Sequence, residues 1–259
     1  MDNVNKTLYI PLYGKSYVSR KGIILRDPKA EKIWAAEGFG LKRKSKSKWL
    51  AYYMGMRAAV FDRWLQAQIA EDPSAVVLHM GCGMDSRAER VGTRGQLWFD
   101  IDFPEVIAER KRYYQETPSY KMLSADIRSA DWLAAVPAGN AIVVMEGVSM
   151  YLQPEELKAV LGQLTARFHK ISLLMDCYTP FAAKASKVRN PINDVGVTQV
   201  YGIEDPGLPE GSGIAFVREH EMAPAALVNQ LRGMEKAVFK ALYAGAVAKK
   251  MYRLYEYRR

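Results

Sequence analysis

The sequence predicts a mixed α/β protein built on a mostly parallel, doubly wound sheet. Three observations support this: short apolar runs alternate with helical patterns, a glycine pair directly follows the first run, and an acid closes the second. Parallel strands need crossover connections, so helices are expected on both faces of the sheet. The chain has 259 residues, 49% of them hydrophobic, which is enough for one such domain with a substantial core.

Five apolar runs are predicted as strands, and a basic, tyrosine-rich tail with an alternating pattern, YRLYEYRR, is predicted as a final strand. The five runs cover residues 75–80, 96–101, 120–124, 140–145 and 171–176. Apolar residues at helical spacing, together with proline punctuation, predict the helices between them. These helices cover residues 49–70, 104–114, 154–168 and a region around 225–232.

Residues 1–259 are predicted to form a single domain with two additions. Residues 1–70 are expected to form a helical N-terminal lead-in that acts as a lid. Residues 178–213 break the alternation with several prolines and glycines, so we expect a cap insertion over a substrate there.

The formal net charge is +9, and part of the excess lies in residues 42–48. No aromatic platform accompanies this run, which favours a solvated loop over a nucleic-acid patch. The chain lacks an apolar run of about 18 residues and an N-terminal apolar leader, so a cytoplasmic protein without a membrane span is expected. Cys82 and Cys177 form no CxxC pair, and no HExxH or calcium-loop pattern occurs, so no metal site is expected.

A glycine turn, Gly81-Cys82-Gly83, follows the first predicted strand. Such a turn lets backbone N–H groups approach a ligand closely, although an ordinary α/β turn has the same composition. Ser86 stands where a dinucleotide fingerprint has its third glycine. Asp102 follows Gly81 by 102 − 81 = 21 positions, the spacing of a ribose-binding carboxylate. Asp100 lies on the same face of the second predicted strand as Asp102, but Asp102 lies nearer the carboxyl end of that strand. The pattern favours S-adenosylmethionine over a nicotinamide.

Motifs along residues 6–176 resemble the leucine carboxyl methyltransferase family, in its bacterial TcmP-like O-methyltransferase branch. They are KTLYIPLYGK, ILRDPKAEKIW, MRAAVFDRWL, VVLHMGCGMDSRAER, WFDIDFPEVIAERKRYY and MEGVSMYLQPEEL. The resemblance implies a class I methyltransferase (Rossmann-like) fold that binds S-adenosylmethionine.

The resemblance also implies which residues bind this cofactor. They are Arg57, Gly81, Gly83, Asp102, Asp126, Ile127 and Glu146. Arg57 is expected to hold the methionine carboxylate, although a solvent-facing helix arginine is the alternative. Asp126 and Ile127 are expected at the adenine. Asp85 and Arg87 also match the family's sequence motif, and a local salt bridge at the start of a helix explains these two residues equally well.

The expected reaction is methylation of a carboxylate of a small acid, polyketide-like or another secondary metabolite. A carboxylate is already ionised at neutral pH and needs no general base, and the basic chain suits an acidic substrate. No catalytic residue is assigned. The candidate substrate contacts are Tyr151, Tyr178, Arg189 and Tyr201, while Lys15 and Tyr17 are candidates to close over the site. Two alternatives stay open: a protein C-terminal carboxyl methyltransferase and a non-catalytic binding module.

Overall fold

The computed structural model describes residues 5–37, 46–186, 199–245, 248 and 250–259. Within these residues seven strands form one sheet, in the order β3-β2-β1-β4-β5-β7-β6. The strands are β1 (Val76–Met80), β2 (Trp98–Asp102), β3 (Tyr120–Ser124), β4 (Gly139–Met145), β5 (Phe168–Tyr178), β6 (Ala215–Glu219) and β7 (Tyr252–Arg258). Strands β1 to β5 are parallel, and β7 is antiparallel to both β5 and β6. The predicted mostly parallel sheet is confirmed.

Each predicted strand corresponds to an observed one, whereas β6 was not predicted. β6 lies at the edge of the sheet, and four of its five side chains are exposed. A strand that buries so little apolar surface carries no clear alternation of apolar and polar residues. Its pairing with β7 therefore becomes visible only in the folded structure.

The helices lie around this sheet, and four of those in the described residues begin with proline at their first position. They are α1 (Tyr9–Arg20), α2 (Pro28–Glu37), α3 (Lys48–Glu71), α4 (Arg87–Val91), α5 (Pro104–Arg110), α6 (Pro154–Arg167), α7 (Pro180–Ser186), α8 (Ala225–Val228) and α9 (Gly233–Tyr243). The helix predicted around residues 225–232 is wrong in extent. Arg232 is extended, with φ −115° and ψ 152°, so a separate helix begins at Gly233.

Helices α1, α2 and α3 lie within the predicted lead-in, and α7 lies within the predicted cap. Residues 187–198 of that cap lie outside the described residues. Whether these two segments cover a substrate stays a prediction.

Each face of the sheet carries its own apolar core, because successive strand residues point to opposite faces. Val77 and Val144 pack with α3 side chains such as Leu65 on one face. Leu78 packs with α6 side chains such as Leu161 on the other. No helix in the described ranges has the length and apolar character needed to cross a membrane.

The strand order reverses between β1 and β4. From β1 the chain proceeds outward through β2 and β3, and from β4 it proceeds the other way through β5. Connections on the two sides diverge there and leave a crevice at the carboxyl ends of the strands. This topology places the candidate site.

Candidate functional site

A cavity of about 880 Å³ lies at the carboxyl ends of the strands, between the sheet and helices α1, α3, α7 and α9. Small-molecule sites span roughly 300–1,000 Å³, so this one is large. All of the cofactor residues expected from the sequence contribute to its lining: Arg57, Gly81, Gly83, Asp102, Asp126, Ile127 and Glu146. The fold therefore brings together residues that span most of the first 150 positions.

The glycine turn after β1 needs glycine for two reasons. Gly81 and Gly83 have φ of +66° and +49°, a left-handed conformation that other residues adopt only with strain. A side chain at Gly81 would also overlap the Val148 side chain. The turn is held by the Gly81 N–H, which donates to the Ile101 carbonyl at 2.8 Å.

Asp102 lies at the end of β2 beside this turn. Its Oδ2 accepts the Gly83 N–H at 2.7 Å, and its Oδ1 accepts the Phe103 N–H at 2.8 Å. Burial raises the pKa of this carboxyl, and the two backbone N–H groups oppose that rise. A carboxylate has about four acceptor positions, so both oxygens retain capacity for ribose hydroxyls.

Asp100, the alternative acid, is fully buried and not among the described residues that line the cavity. It pairs with Arg110, which also donates to the carbonyls of Gly83 (2.9 Å) and Asp85 (2.7 Å). Burial would raise the pKa of Asp100, but Arg110 and His79 outweigh it and lower the pKa to about 2. Asp100 thus anchors the arginine that holds the turn, which leaves Asp102 to face a ligand.

Arg57 is only 2% exposed, so the solvent-facing alternative is wrong. Its Nε donates to Glu146 Oε1 at 3.0 Å, and its Nη1 donates to Asp176 Oδ2 at 2.7 Å and to the Tyr252 hydroxyl at 3.0 Å. Helix α3 supplies the arginine, and the ends of β4 and β5 supply the two acids. The guanidinium is therefore fixed from three elements before any ligand binds.

Arg87 continues this network on the other side of Glu146. It is fully buried, donates to Glu146 and to Asp62 Oδ1 at 2.8 Å, and lies 3.2 Å from Asp85 Oδ2. These partners come largely from distant elements, so Arg87 does more than form a local pair at a helix start. Burial would raise the pKa of Glu146, but Arg87, Arg57 and Lys15 outweigh it and lower the pKa to about 2. Glu146 is therefore a buried anion at neutral pH.

Lys15 lines the cavity and is 3% exposed, with its Nζ 3.2 Å from Asp85 Oδ2. Tyr17, the other residue expected to close over the site, instead packs on Tyr52 with ring centroids 5.8 Å apart. The first helix thus supplies one charged residue to the cavity and directs the other side chain into the core beside it.

Sequence reasoning did not identify Asp62, Asp176 and Tyr252 as parts of the network. Asp176 had a usable signal, because it closes the fifth predicted strand as Asp102 closes the second. Asp62 lies inside a helical pattern and Tyr252 in an alternating tail, where nothing distinguishes them from packing residues. Their role depends on contacts across 119 and 195 positions for Asp176 and Tyr252 with Arg57.

One group of lining residues is apolar and aromatic, and we name it the apolar half of the cavity. It is defined by the lining residues that pack as one cluster: Ile10, Leu50, Tyr53, Met54, Met150, Tyr151, Tyr178 and Tyr252. The Tyr252 ring centroid is 4.8 Å from that of Tyr178 and 6.1 Å from that of Tyr53. Burial raises the pKa of the Tyr53, Tyr151 and Tyr252 hydroxyls, so they remain neutral hydrogen-bond donors.

The charged residues of the lining form what we name the polar half. They include Lys15, Arg57, Asp85, Asp102, Asp126, Arg128 and Glu146. Arg57 joins the two halves, because it bonds Glu146 on one side and the Tyr252 hydroxyl on the other.

The four candidate substrate contacts have different outcomes. Tyr151 and Tyr178 line the apolar half. Tyr201 is not part of the described lining, and its hydroxyl accepts from Gln199 Nε2 at 2.8 Å. Arg189 lies outside the described residues. Of the basic run 42–48, the described Lys48 pairs with Glu235 at 2.8 Å.

The profile of the leucine carboxyl methyltransferase family matches residues 11–165, more than half of the chain. The tetracenomycin polyketide synthesis O-methyltransferase TcmP of Streptomyces glaucescens is 29% identical over 243 residues, covering 92% of this chain and 90% of that protein. The S-adenosyl-L-methionine-dependent methyltransferase dpfgK of Gibberella zeae is 30% identical over 146 residues, covering 51% of this chain and 49% of that protein.

Among solved structures, magnesium protoporphyrin IX methyltransferase of Synechocystis PCC 6803 with bound SAH superposes with a TM-score of 0.53. The two chains are 13% identical, and the match covers 90% of this chain and 93% of the other. At this identity the likeness concerns the fold, and it confirms the predicted class I methyltransferase architecture.

Proposed function

The chain belongs to the leucine carboxyl methyltransferase family, and from that premise we propose that it methylates a carboxylate of a small, largely apolar acid with S-adenosylmethionine. The product is a methyl ester. The observation that carries this proposal is the division of one cavity into a charged half and an apolar half that meet at Arg57.

The residues of the polar half fit S-adenosylmethionine. Arg57 and Glu146 present opposite buried charges side by side, which suits the carboxylate and ammonium of an amino-acid end. Asp102 suits vicinal ribose hydroxyls, and Asp126 with Ile127 suits an adenine beyond them. When bound, this cofactor supplies a methyl group on a sulfonium, so no residue needs to form a covalent bond to the methyl.

The apolar half suits an acceptor with an uncharged body and one reactive oxygen. Its tyrosine hydroxyls donate hydrogen bonds, so they would orient an acceptor carboxylate without a dedicated cation. The acceptor is ionised at neutral pH, and the chain therefore needs no general base. Apolar walls exclude water, and fixed donors align the attacking oxygen, which together supply most of the catalysis expected for such a transfer.

The test is a transfer assay with labelled S-adenosylmethionine and a matched set of acceptors. The set contains aliphatic and aromatic monocarboxylic acids, the corresponding phenols and a peptide with a free C-terminal carboxylate. We expect label in a methyl ester of an apolar acid, released by mild base. The methyl amide of the best acid serves as a control that lacks the reactive oxygen.

Each alternative has its own outcome in this assay. A base-stable methyl ether contradicts the carboxylate acceptor. Transfer to the peptide alone supports a protein C-terminal carboxyl methyltransferase. Calorimetry without any binding at millimolar S-adenosylmethionine rules out methyl transfer and leaves a non-catalytic module.

A further inference from the structure

Arg128 holds the carboxylate of Asp126 on the loop after β3, and both residues line the cavity. The Arg128 backbone N–H donates to Asp126 Oδ1 at 3.0 Å. The side chain donates from Nε to the same oxygen at 2.9 Å and from Nη2 to Oδ2 at 2.5 Å. The Nε–H also lies 3.0 Å from Oδ2, so three N–H groups of Arg128 bond both carboxylate oxygens. A carboxylate has about four acceptor positions, which leaves about one for a ligand.

Arg128 is itself tied to helix α6. Its Nη1 lies 3.3 Å from Glu156 Oε1 in the first turn of that helix, and its carbonyl accepts from Gln163 Nε2 at 3.0 Å. The side chains of Asp126 and Arg128 are 35% and 48% exposed. Without a partner, an Asp126 carboxylate with this exposure would rotate freely in water. The contacts of Arg128 with α6 therefore fix the orientation of the Asp126 carboxylate.

The orientation of the Asp126 carboxylate matters because this residue lies next to the end of β2, where Asp102 is. Asp126 is the second residue after β3, and the N–H of Ala125 between them donates to the Asp102 carbonyl at 2.8 Å. A ligand whose ribose is held by Asp102 at the end of β2 extends its base towards the end of β3. The exocyclic amine of adenine is a donor, and a held carboxylate accepts from it without the entropic cost of ordering a loose side chain.

We propose that Arg128 is the positioning residue that makes the cofactor site selective for the exocyclic amine of adenine, because it holds Asp126 in the accepting orientation. This inference rests on the proposed function. Arg128 acts through Asp126, so its effect is on the choice between bases rather than on the methyl transfer itself.

The experiment compares two ligands by calorimetry: S-adenosylhomocysteine and its deamino analogue, in which hydrogen replaces the exocyclic amine. We expect wild type to prefer the amine-bearing ligand on the order of tenfold, the size of one hydrogen bond to a charged group. In Arg128→Gln the preference should fall below about threefold, while the urea midpoint stays close to wild type. Arg112→Gln is the matched control, since Arg112 also forms an exposed pair, with Glu109 at 2.6 Å, away from the cavity lining.

A double-mutant cycle separates positioning from general charge effects. Asp126→Asn should lose the preference, and adding Arg128→Gln to it should change the preference no further. A preference in Arg128→Gln within about twofold of wild type overturns the inference and leaves methyl transfer standing. Wild-type binding without any preference also overturns it. Absence of S-adenosylhomocysteine binding by wild type overturns the proposed function and the inference together.

Discussion

In the polar half of the cavity, Arg57 of α3 contacts acids at the ends of β4 and β5, and Lys15 of α1 pairs with Asp85 after β1; Arg87 of α4 contacts Glu146 from behind the lining. In the apolar half, tyrosine rings pack edge to face against one another, within a cluster that also contains methionine and leucine side chains. A buried ion network depends on every member, because removal of one leaves an uncompensated charge. An apolar cluster tolerates change more gradually. We therefore expect substitutions in the polar half to be more disruptive than substitutions in the apolar half.

The largest expected effect comes from breaking the network at Arg87. Arg87→Met leaves Glu146 and Asp62 without this partner, and a loss of about 3–5 kcal/mol of unfolding free energy is expected. Urea unfolding measures it. Arg112→Met, which breaks an exposed pair, should cost less than about 1 kcal/mol. Equal losses in the two variants would contradict a special role for the buried network.

The next effect concerns the glycine turn. Gly81→Ala combines a left-handed backbone with overlap on Val148, whereas Gly92→Ala has a φ of +78° and open space around the new methyl group. Gly92→Ala should cost about 1–3 kcal/mol from the backbone alone, because its φ of +78° and ψ of 137° lie in a sparsely populated region. Gly81→Ala should cost more and weaken cofactor binding, and Val148→Ala should restore part of the loss. The idea fails if the two glycine variants are equally stable and bind alike.

A smaller effect is expected in the apolar half. Tyr151→Phe removes one neutral donor, so the KM for the acceptor should rise by about three- to tenfold while the KM for the cofactor stays unchanged. Tyr13→Phe is the control, because the Tyr13 hydroxyl donates to the Lys46 carbonyl outside the cavity lining. A rise in the cofactor KM instead would place Tyr151 in the polar half.

The most gradual effect is the pH dependence of the network. Because the pKa of Glu146 is lowered to about 2, its ionised form stabilises the fold above the ordinary value of 4.5, and this contribution is lost as pH falls from there towards 2. The difference in urea midpoint between wild type and Glu146→Gln should therefore shrink below about pH 4.5. A difference that stays constant from pH 7 to pH 3 would contradict this assignment.

Arg57→Ala is a poor test of cofactor binding. Since Arg57 compensates Glu146 and Asp176 inside the protein, its loss should also destabilise the fold. Asp102→Asn is the cleaner test of cofactor binding, because Asp102 has backbone N–H partners and no buried cation bonded to it in the described residues.

Much of the sheet, the glycine turn and Asp102 could be predicted because their signals are local, whereas Arg57, Asp126 and Glu146 were implied only by the family resemblance. The apolar runs that became β1 to β5, the left-handed glycines and the spacing of Asp102 all lie within short windows of the chain. Prediction failed where burial was small, as in β6, or where a helix boundary depended on one extended residue, Arg232. Neither an exposed edge strand nor such a boundary produces a periodic pattern of apolar residues in the sequence.

The sequence by itself determined the α/β class, the turn that carries Gly81 and the acid Asp102 beside it, since periodicity and backbone conformation are properties of neighbouring residues. Only the tertiary structure decided which charges are paired. Arg57 meets Asp176 and Tyr252 because the sheet places β5 and β7 side by side against α3. Burial makes these pairings important for stability, because a charge that is removed from water needs an oppositely charged partner within the fold.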